Sequence, residues 1–164
     1  MKRGIIYGST LILLLCTCGN VANNDKKSDT VSVKIEQQTE INNNVPKETE
    51  FYDITIEEAL LKAKEEEKYV LIDCHTKSCG PCRKMEKTVF PSEKCGEYIN
   101  PRFVPIMMDM ESEIGIAIAK KYDVGIYPTY LVLSPDGKKQ GEIIGAEFNV
   151  DDFIAMLKNI LHEN

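Results

Sequence analysis

Fourteen residues constrain this chain more than any others: Val70 to Arg83, V-L-I-D-C-H-T-K-S-C-G-P-C-R. The run begins as an apolar strand, passes through a short polar turn and reaches Cys79-Gly80-Pro81-Cys82, where proline marks the first turn of a helix. Two thiols two residues apart at a helix start can close into a disulfide and reopen. The amides left unpaired at that end favour a thiolate on the first of them. A redox centre is the reading that follows, with an inert structural disulfide or half of a zinc site as the plainer alternatives.

Around this stretch the 164 residues, 43% of them hydrophobic, suffice for one domain of ordinary size. The net charge of -6 and the lack of any basic cluster argue against a nucleic-acid partner. The chain opens with Met1-Lys2-Arg3 and an apolar run from Gly4 to Leu15, which is short of the roughly 20 residues a membrane span needs and has the form of an export signal. Leu15-Cys16-Thr17-Cys18 resembles the box at which bacterial lipoproteins are cleaved and lipidated. That resemblance implies residues 1–18 as signal and Cys18 as the lipidated residue, with Cys16 the weaker choice and plain signal cleavage the alternative. From residue 19 to 50 the composition is polar, with Asn23-Asn24-Asp25 and Asn42-Asn43-Asn44, so a flexible tether is expected there. Val31-Ser32-Val33-Lys34-Ile35 alternates and would make a strand if it found an edge.

Residues 51–164 carry the pattern of a folded domain. Thr55 and Glu58 form a capping box ahead of a helix to about Glu66 whose inner face is Ile56, Ala59, Leu60 and Ala63. Tyr69 to Cys74 reads as a strand buried on both faces. The helix after the cysteines runs through Met85 and Val89 and stops before Pro91, and Ser92 caps a short helical piece carrying Cys95. Phe103 to Met108 is a second strand, and Ile114, Ala117, Ile118 and Tyr122 supply the buried stripe of the next helix. Tyr130 to Leu133 is a strand. Pro135-Asp136-Gly137 turns it back into an antiparallel partner at Glu142 to Ile144. Asn149 and Asp152 cap a last helix with Val150, Phe153, Ile154, Leu157, Ile160 and Leu161 facing inward.

This order of elements, with C-G-P-C after the first central strand and Tyr127-Pro128-Thr129 before the penultimate one, resembles thioredoxin over about residues 52 to 162. The resemblance implies an α/β fold, a central mixed sheet of four to five strands flanked by helices on both faces. The segment K-S-C-G-P-C-R-K-M-E-K-T-V-F is similar to the domains of exported, membrane-tethered thiol reductases. By resemblance Cys79 is the nucleophile, Cys82 the resolving thiol, and Asp73 the buried acid that exchanges a proton with Cys82. Gly80 and Pro81 complete the motif. Pro128 matches a cis-proline that with Tyr127 forms a substrate-binding edge, and Gly145 lines the same groove. Three positions depart from the family: Ser78 stands for the usual Trp, Cys74-His75 for an aromatic pair, and Pro105-Ile106-Met107 where a buried Lys is usual.

Disulfide exchange needs a thiolate to attack and a second thiol to release the captured partner. Cys79 is expected exposed at the helix tip, with Arg83 or Lys84 near it, and Cys82 shielded one turn in. Asp73, costly to bury as an anion, should titrate high. Alternation places Cys74 opposite Asp73, so a Cys74–Cys95 bridge is not expected. His75 reads as a packing or hydrogen-bonding imidazole, the Met107-Met108-Asp109-Met110 run as core strand rather than a copper site, and neither metal nor cofactor is expected. The whole reads as a lipid-anchored oxidoreductase facing the periplasm or cell exterior. It would reduce disulfides in exported proteins and be recharged by a membrane thiol carrier. An oxidase or isomerase of the same fold, or a non-catalytic redox-sensing or metal-binding lipoprotein, are the alternatives.

Overall fold

Strand β1 (Tyr69–His75) is an inner strand of the sheet and the one that leads into the cysteine pair. In the computed structural model, which describes residues 48–163, it lies between β2 (Phe103–Asp109) and β3 (Thr129–Leu133), with β4 (Lys139–Ile144) outside β3. The sheet therefore has four strands, at the low end of the expected four to five. β1 runs parallel to β2 and antiparallel to β3, and β3 is antiparallel to β4, so the sheet is mixed. The expected signal, the lipidation site Cys18 and the Val31–Ile35 strand lie outside the described residues.

Each strand alternates between two apolar layers, the consequence of a two-residue side-chain period. Val70, Ile72 and Cys74 of β1 join Ile106, Leu131 and Leu133 under α1 (Ile56–Glu65) and α4 (Glu113–Tyr122). On the other face Leu71, Tyr130 and Val132 pack under α2 (Gly80–Thr88), α3 (Glu93–Ile99) and α5 (Val150–Ile160). Alternation puts Asp73 with the second layer, and it is fully buried. Cys74 and Cys95 are free, buried and in different layers, as expected.

The Thr55–Glu58 capping box forms, with Glu58 N donating to Thr55 Oγ1 and Thr55 N to Glu58 Oε2. Ser92 occupies the cap position of α3, but its side chain makes no capping bond. At α5 the sequence expectation is corrected in part. Asn149 Oδ1 accepts from the amides of Asp151 and Asp152, but Glu147, rather than Asp152, takes the Asn149 amide.

Two further expectations are overturned. Of the expected stripe of α4, Ile118 and Tyr122 are buried, but Ile114 and Ala117 are exposed and Gly115 is buried. A Cβ at Gly115 would collide with the backbone of Asp109 and Met110, so the helix seats its glycine on the end of β2 and turns Ile114 outward. Likewise the last residues assigned to the tether belong to the domain. Thr49 is buried and its amide donates to Phe90 O, while Asn100 accepts from Glu50 N and donates to Glu48 O. Tyr52 then forms a parallel bridge with Ile106 along the free edge of β2. Among the described residues no helix is long and apolar enough to cross a membrane.

Candidate active site

At the C-terminal end of β1 the chain makes a four-residue turn, Thr76–Cys79, closed by Cys79 N donating to Thr76 O at 3.1 Å. The turn is fastened on its flank. Lys77 N donates to Glu111 Oε2 and Lys77 Nζ pairs with Asp109, tying it to the loop after β2. Arg83 reaches back from α2 to donate to Lys77 O at 2.8 Å. His75 lies at the strand end and its carbonyl accepts from Met110 N.

Cys79 is the N-cap of α2, with Pro81 in the first turn. It is joined to Cys82 by a disulfide with the Cα atoms 5.4 Å apart. The amide of Cys82 donates to Cys79 Sγ at 3.2 Å, the contact by which a helix N-terminus stabilises charge on that sulfur. Cys82 is 1% exposed and Cys79 9%, so the ordering expected from the sequence holds, but Cys79 is far more covered than a sulfur standing free at a helix tip. Arg83 is engaged by the Lys77 carbonyl, and Lys84 Nζ sits 3.8 Å from the ring centroid of Phe148. Ser78 is exposed.

The second wall comes from β3. Thr129 pairs with Cys74, which brings the residues just before β3 to the same end of the sheet as the cysteines. The Tyr127–Pro128 peptide is cis. The buried hydroxyl of Thr129 donates to Ile126 O, and Gly145, at φ +88°, donates its amide to Pro128 O at 2.8 Å. A side chain at Gly145 would have to adopt a conformation that L-residues disfavour, so glycine is the residue that lets β4 close on this loop. Exposed Ile126 and Ile144 lie beside the cis peptide and Gly145.

Asp73 completes the set. Neither carboxyl oxygen has a hydrogen-bond partner among the described residues. Burial, and secondarily the like charge of Glu86, push its carboxyl up to about 7. On β2 the residue paired with Asp73 is Met107, and on β3 it is Tyr130, whose buried hydroxyl also lacks a partner among the described residues. Met108 and Met110 are buried as expected of a core strand, and Met107 is 40% exposed. Burial raises the free thiols too, Cys74 to about 12 and Cys95 to about 11, which leaves both poor nucleophiles. Among the described residues no three His, Cys, Asp or Glu side chains gather into a cluster that could hold a metal ion. Glu86 and Tyr130 are the site residues that sequence reading misses. Their one sequence signal is Glu86 four residues after Cys82.

The chain that carries this cysteine pair, cis-proline and buried acid is similar to known proteins. Residues 56–161 match the family model described as a thioredoxin-like domain. The chain belongs to the thioredoxin-like family. It is 34% identical over 87 residues to a thioredoxin H-type of Oryza sativa subsp. indica, across 53% of this chain and 66% of that protein. It is 31% identical over 77 residues to thioredoxin Asp f 29 of Aspergillus fumigatus, across 47% and 66%. The chain thus spans less than two thirds of the length of these curated relatives. Among solved structures, a candidate disulphide-isomerase from Bacteroides thetaiotaomicron is 33% identical with a TM-score of 0.65, covering 71% of this chain and 96% of its own. A thioredoxin from Thermus thermophilus, 22% identical with a TM-score of 0.61 over 70% and 88%, shares the thioredoxin-like fold.

Proposed function

We propose that this chain is a thiol-disulfide oxidoreductase of the cell exterior or periplasm, held to a membrane by lipid on Cys18 and working as a reductase of disulfides in exported proteins. The observation that carries the chemistry is the Cys79–Cys82 disulfide closed across the first turn of α2, with the Cys82 amide on Cys79 Sγ.

In the reduced protein the Cys79 thiolate attacks one sulfur of the substrate disulfide. An S–S bond forms to Cys79, and the displaced substrate sulfur leaves with the electron pair and takes a proton. Asp73 accepts the Cys82 proton, the Cys82 sulfur attacks Cys79 Sγ, and the second substrate sulfur departs as a thiol. The substrate is now reduced and Cys79–Cys82 oxidised. Pro128 and Gly145, joined by their backbone bond, form with Tyr127 the edge on which an extended substrate segment lies. In the proposed compartment the dithiol is regenerated by a membrane thiol carrier, since soluble cytosolic reductants do not reach it.

The Gly80-Pro81 dipeptide supports the reducing direction, and the reduction potential tests it. A value near the roughly -270 mV of thioredoxin is expected, whereas one near the roughly -120 mV of a strong periplasmic oxidant would overturn it. The isomerase reading is favoured by one observation, the description of the Bacteroides thetaiotaomicron relative. Refolding of a scrambled disulfide substrate separates the two, because an isomerase restores activity without net reduction. In a disulfide-reduction assay Cys79→Ser is expected to abolish turnover, while Cys82→Ser should accumulate mixed disulfides on Cys79. Full turnover by Cys79→Ser would refute the assignment. The anchor rests on the sequence of residues 1–18 and is tested by fatty-acid labelling of the cells. Label is expected in the intact chain and lost in Cys18→Ser, and label persisting in that variant points to Cys16.

A further inference from the structure

Between the buried strand β1 and the buried Cys79 the turn has little apolar footing: Thr76 is half-buried, and Lys77 and Ser78 are exposed. Hydrogen bonds hold it instead, and they converge on the peptide groups of one residue. Lys77 N donates to Glu111 Oε2 at 3.2 Å, and Lys77 O accepts from Arg83 Nη1 at 2.8 Å. The two side chains come from different elements. Arg83 is one turn into α2, where its own amide donates to Cys79 O at 3.3 Å, so this residue grips the chain on both sides of Ser78. Glu111 is fixed in turn. Its amide donates to Asp109 Oδ1 at 2.9 Å, and Ser112 Oγ, which donates to Asp109 O at 2.6 Å, caps α4 by accepting from Gly115 N. The Met110 amide on His75 O, at 2.8 Å, closes the circuit by joining this loop to the end of β1. The ion pair of Lys77 with Asp109 adds little, because the ammonium is largely in solvent.

We propose that Arg83 and Glu111 clamp the Lys77 peptide so that Cys79 Sγ stays on the Cys82 amide once the disulfide has opened, which makes them positioning residues for the exchange reaction. The inference rests on the reading of Cys79 and Cys82 as the exchanging pair. In the oxidised chain the S–S bond itself holds Cys79 Sγ at the head of α2. When a dithiol donor reduces the pair, its two sulfurs join, its two hydrogens pass to Cys79 and Cys82, and that bond is gone. The place of Cys79 then depends on the backbone leading into it. A thiolate gains from the helix amide only while it stays within reach of it. With both peptide groups of Lys77 fixed, two residues upstream, the rotations that would swing Cys79 off the helix end are restricted. The clamp thus acts through the backbone. Its two side chains carry opposite charges, so their direct effects on a thiolate oppose each other, while their effect on the turn is the same.

The test uses the full chain in its reduced form and follows the rate of Cys79 alkylation against pH, with the label assigned to Cys79 by mass spectrometry of the peptide that carries it. The midpoint of that profile marks formation of the thiolate. Arg83→Ala and Glu111→Ala should both move it to higher pH by roughly half a unit, the size expected for loss of one hydrogen bond. Glu111→Gln keeps an oxygen acceptor without the charge, and its midpoint should stay near the wild-type position. All three substitutions fall at exposed positions, so thermal melting should change little. Opposite shifts in Arg83→Ala and Glu111→Ala would show that charge alone acts on the sulfur. That result, unmoved midpoints, or a Glu111→Gln midpoint displaced as far as that of Glu111→Ala overturns the clamp alone, provided the wild-type chain turns over a disulfide substrate. Absence of that turnover would instead remove the exchange reading beneath it.

Discussion

Asp73 is conspicuous in the sequence because it is the one acid inside an apolar strand, and the structure gives it the sealed position that this implies. Its titration couples to stability with a definite sign. Burial first and Glu86 second raise the folded carboxyl to about 7, so the folded state holds a proton there that the unfolded chain has already released. Stability is therefore fully present below the ordinary carboxylate range, and is lost as pH rises from about 4 through about 7, by up to about 4 kcal/mol. Asp73→Asn keeps the shape without the charge and removes that loss, although its buried amide costs about 1–3 kcal/mol for want of partners. Thermal melts from pH 5 to 8 should show the wild-type midpoint falling and the variant's falling less. Parallel curves would mean that Asp73 is not the group responsible. Glu86 was not legible in the same way. K-M-E-K reads as an ordinary helix turn, and only the packing of α2 on the layer that holds Asp73 brings the Glu86 charge to bear on the acid.

At the level of elements, sequence pattern located every helix and strand of the domain but not every face. The stretch Ile114-Gly115-Ile116-Ala117-Ile118-Ala119 is apolar nearly all round, so periodicity alone cannot say how α4 is rotated. The close approach of Gly115 to β2 decides it, and that is a tertiary fact. The same holds for residues 48–50, whose polar composition suggests a tether. They are held because Gly96 lets α3 touch the Glu48 backbone and because Asn100 bonds on both sides of Thr49. A Cβ at Gly96 would come within 2.6 Å of the Glu48 carbonyl carbon, so Gly96→Ala must push the strap away. The expected outcome is a loss of about 1–3 kcal/mol, with hydrogen exchange at the Thr49 amide speeding more than that of β1. Equal acceleration at both places would show that the strap and the sheet open as one unit.

For the molecule as a whole, two apolar layers meet on a single strand, and that strand carries both the acid and the chain leading into Cys79. β1 is paired on both edges and covered on both faces, with Leu71 and Ile72 fully buried, whereas β4 is an edge strand with exposed Lys139, Gln140 and Ile144. Local opening costs least where backbone bonds meet solvent and few apolar contacts break. The amides of Leu71, Ile72 and Asp73 should therefore exchange only through global unfolding, and those of β4 through smaller openings. Because Asp73 lies in the slowest strand, its protonation should be felt by all the amides that need global unfolding and by none that open locally. Hydrogen exchange measured at pH 5.5 and 8, corrected for intrinsic rates, should thus show β1 losing protection at the higher pH while β4 keeps its own. Loss of protection in β4 with β1 unchanged would place the pH-sensitive group elsewhere, and would separate the chemistry at Cys82 from the stability of the strand that positions it.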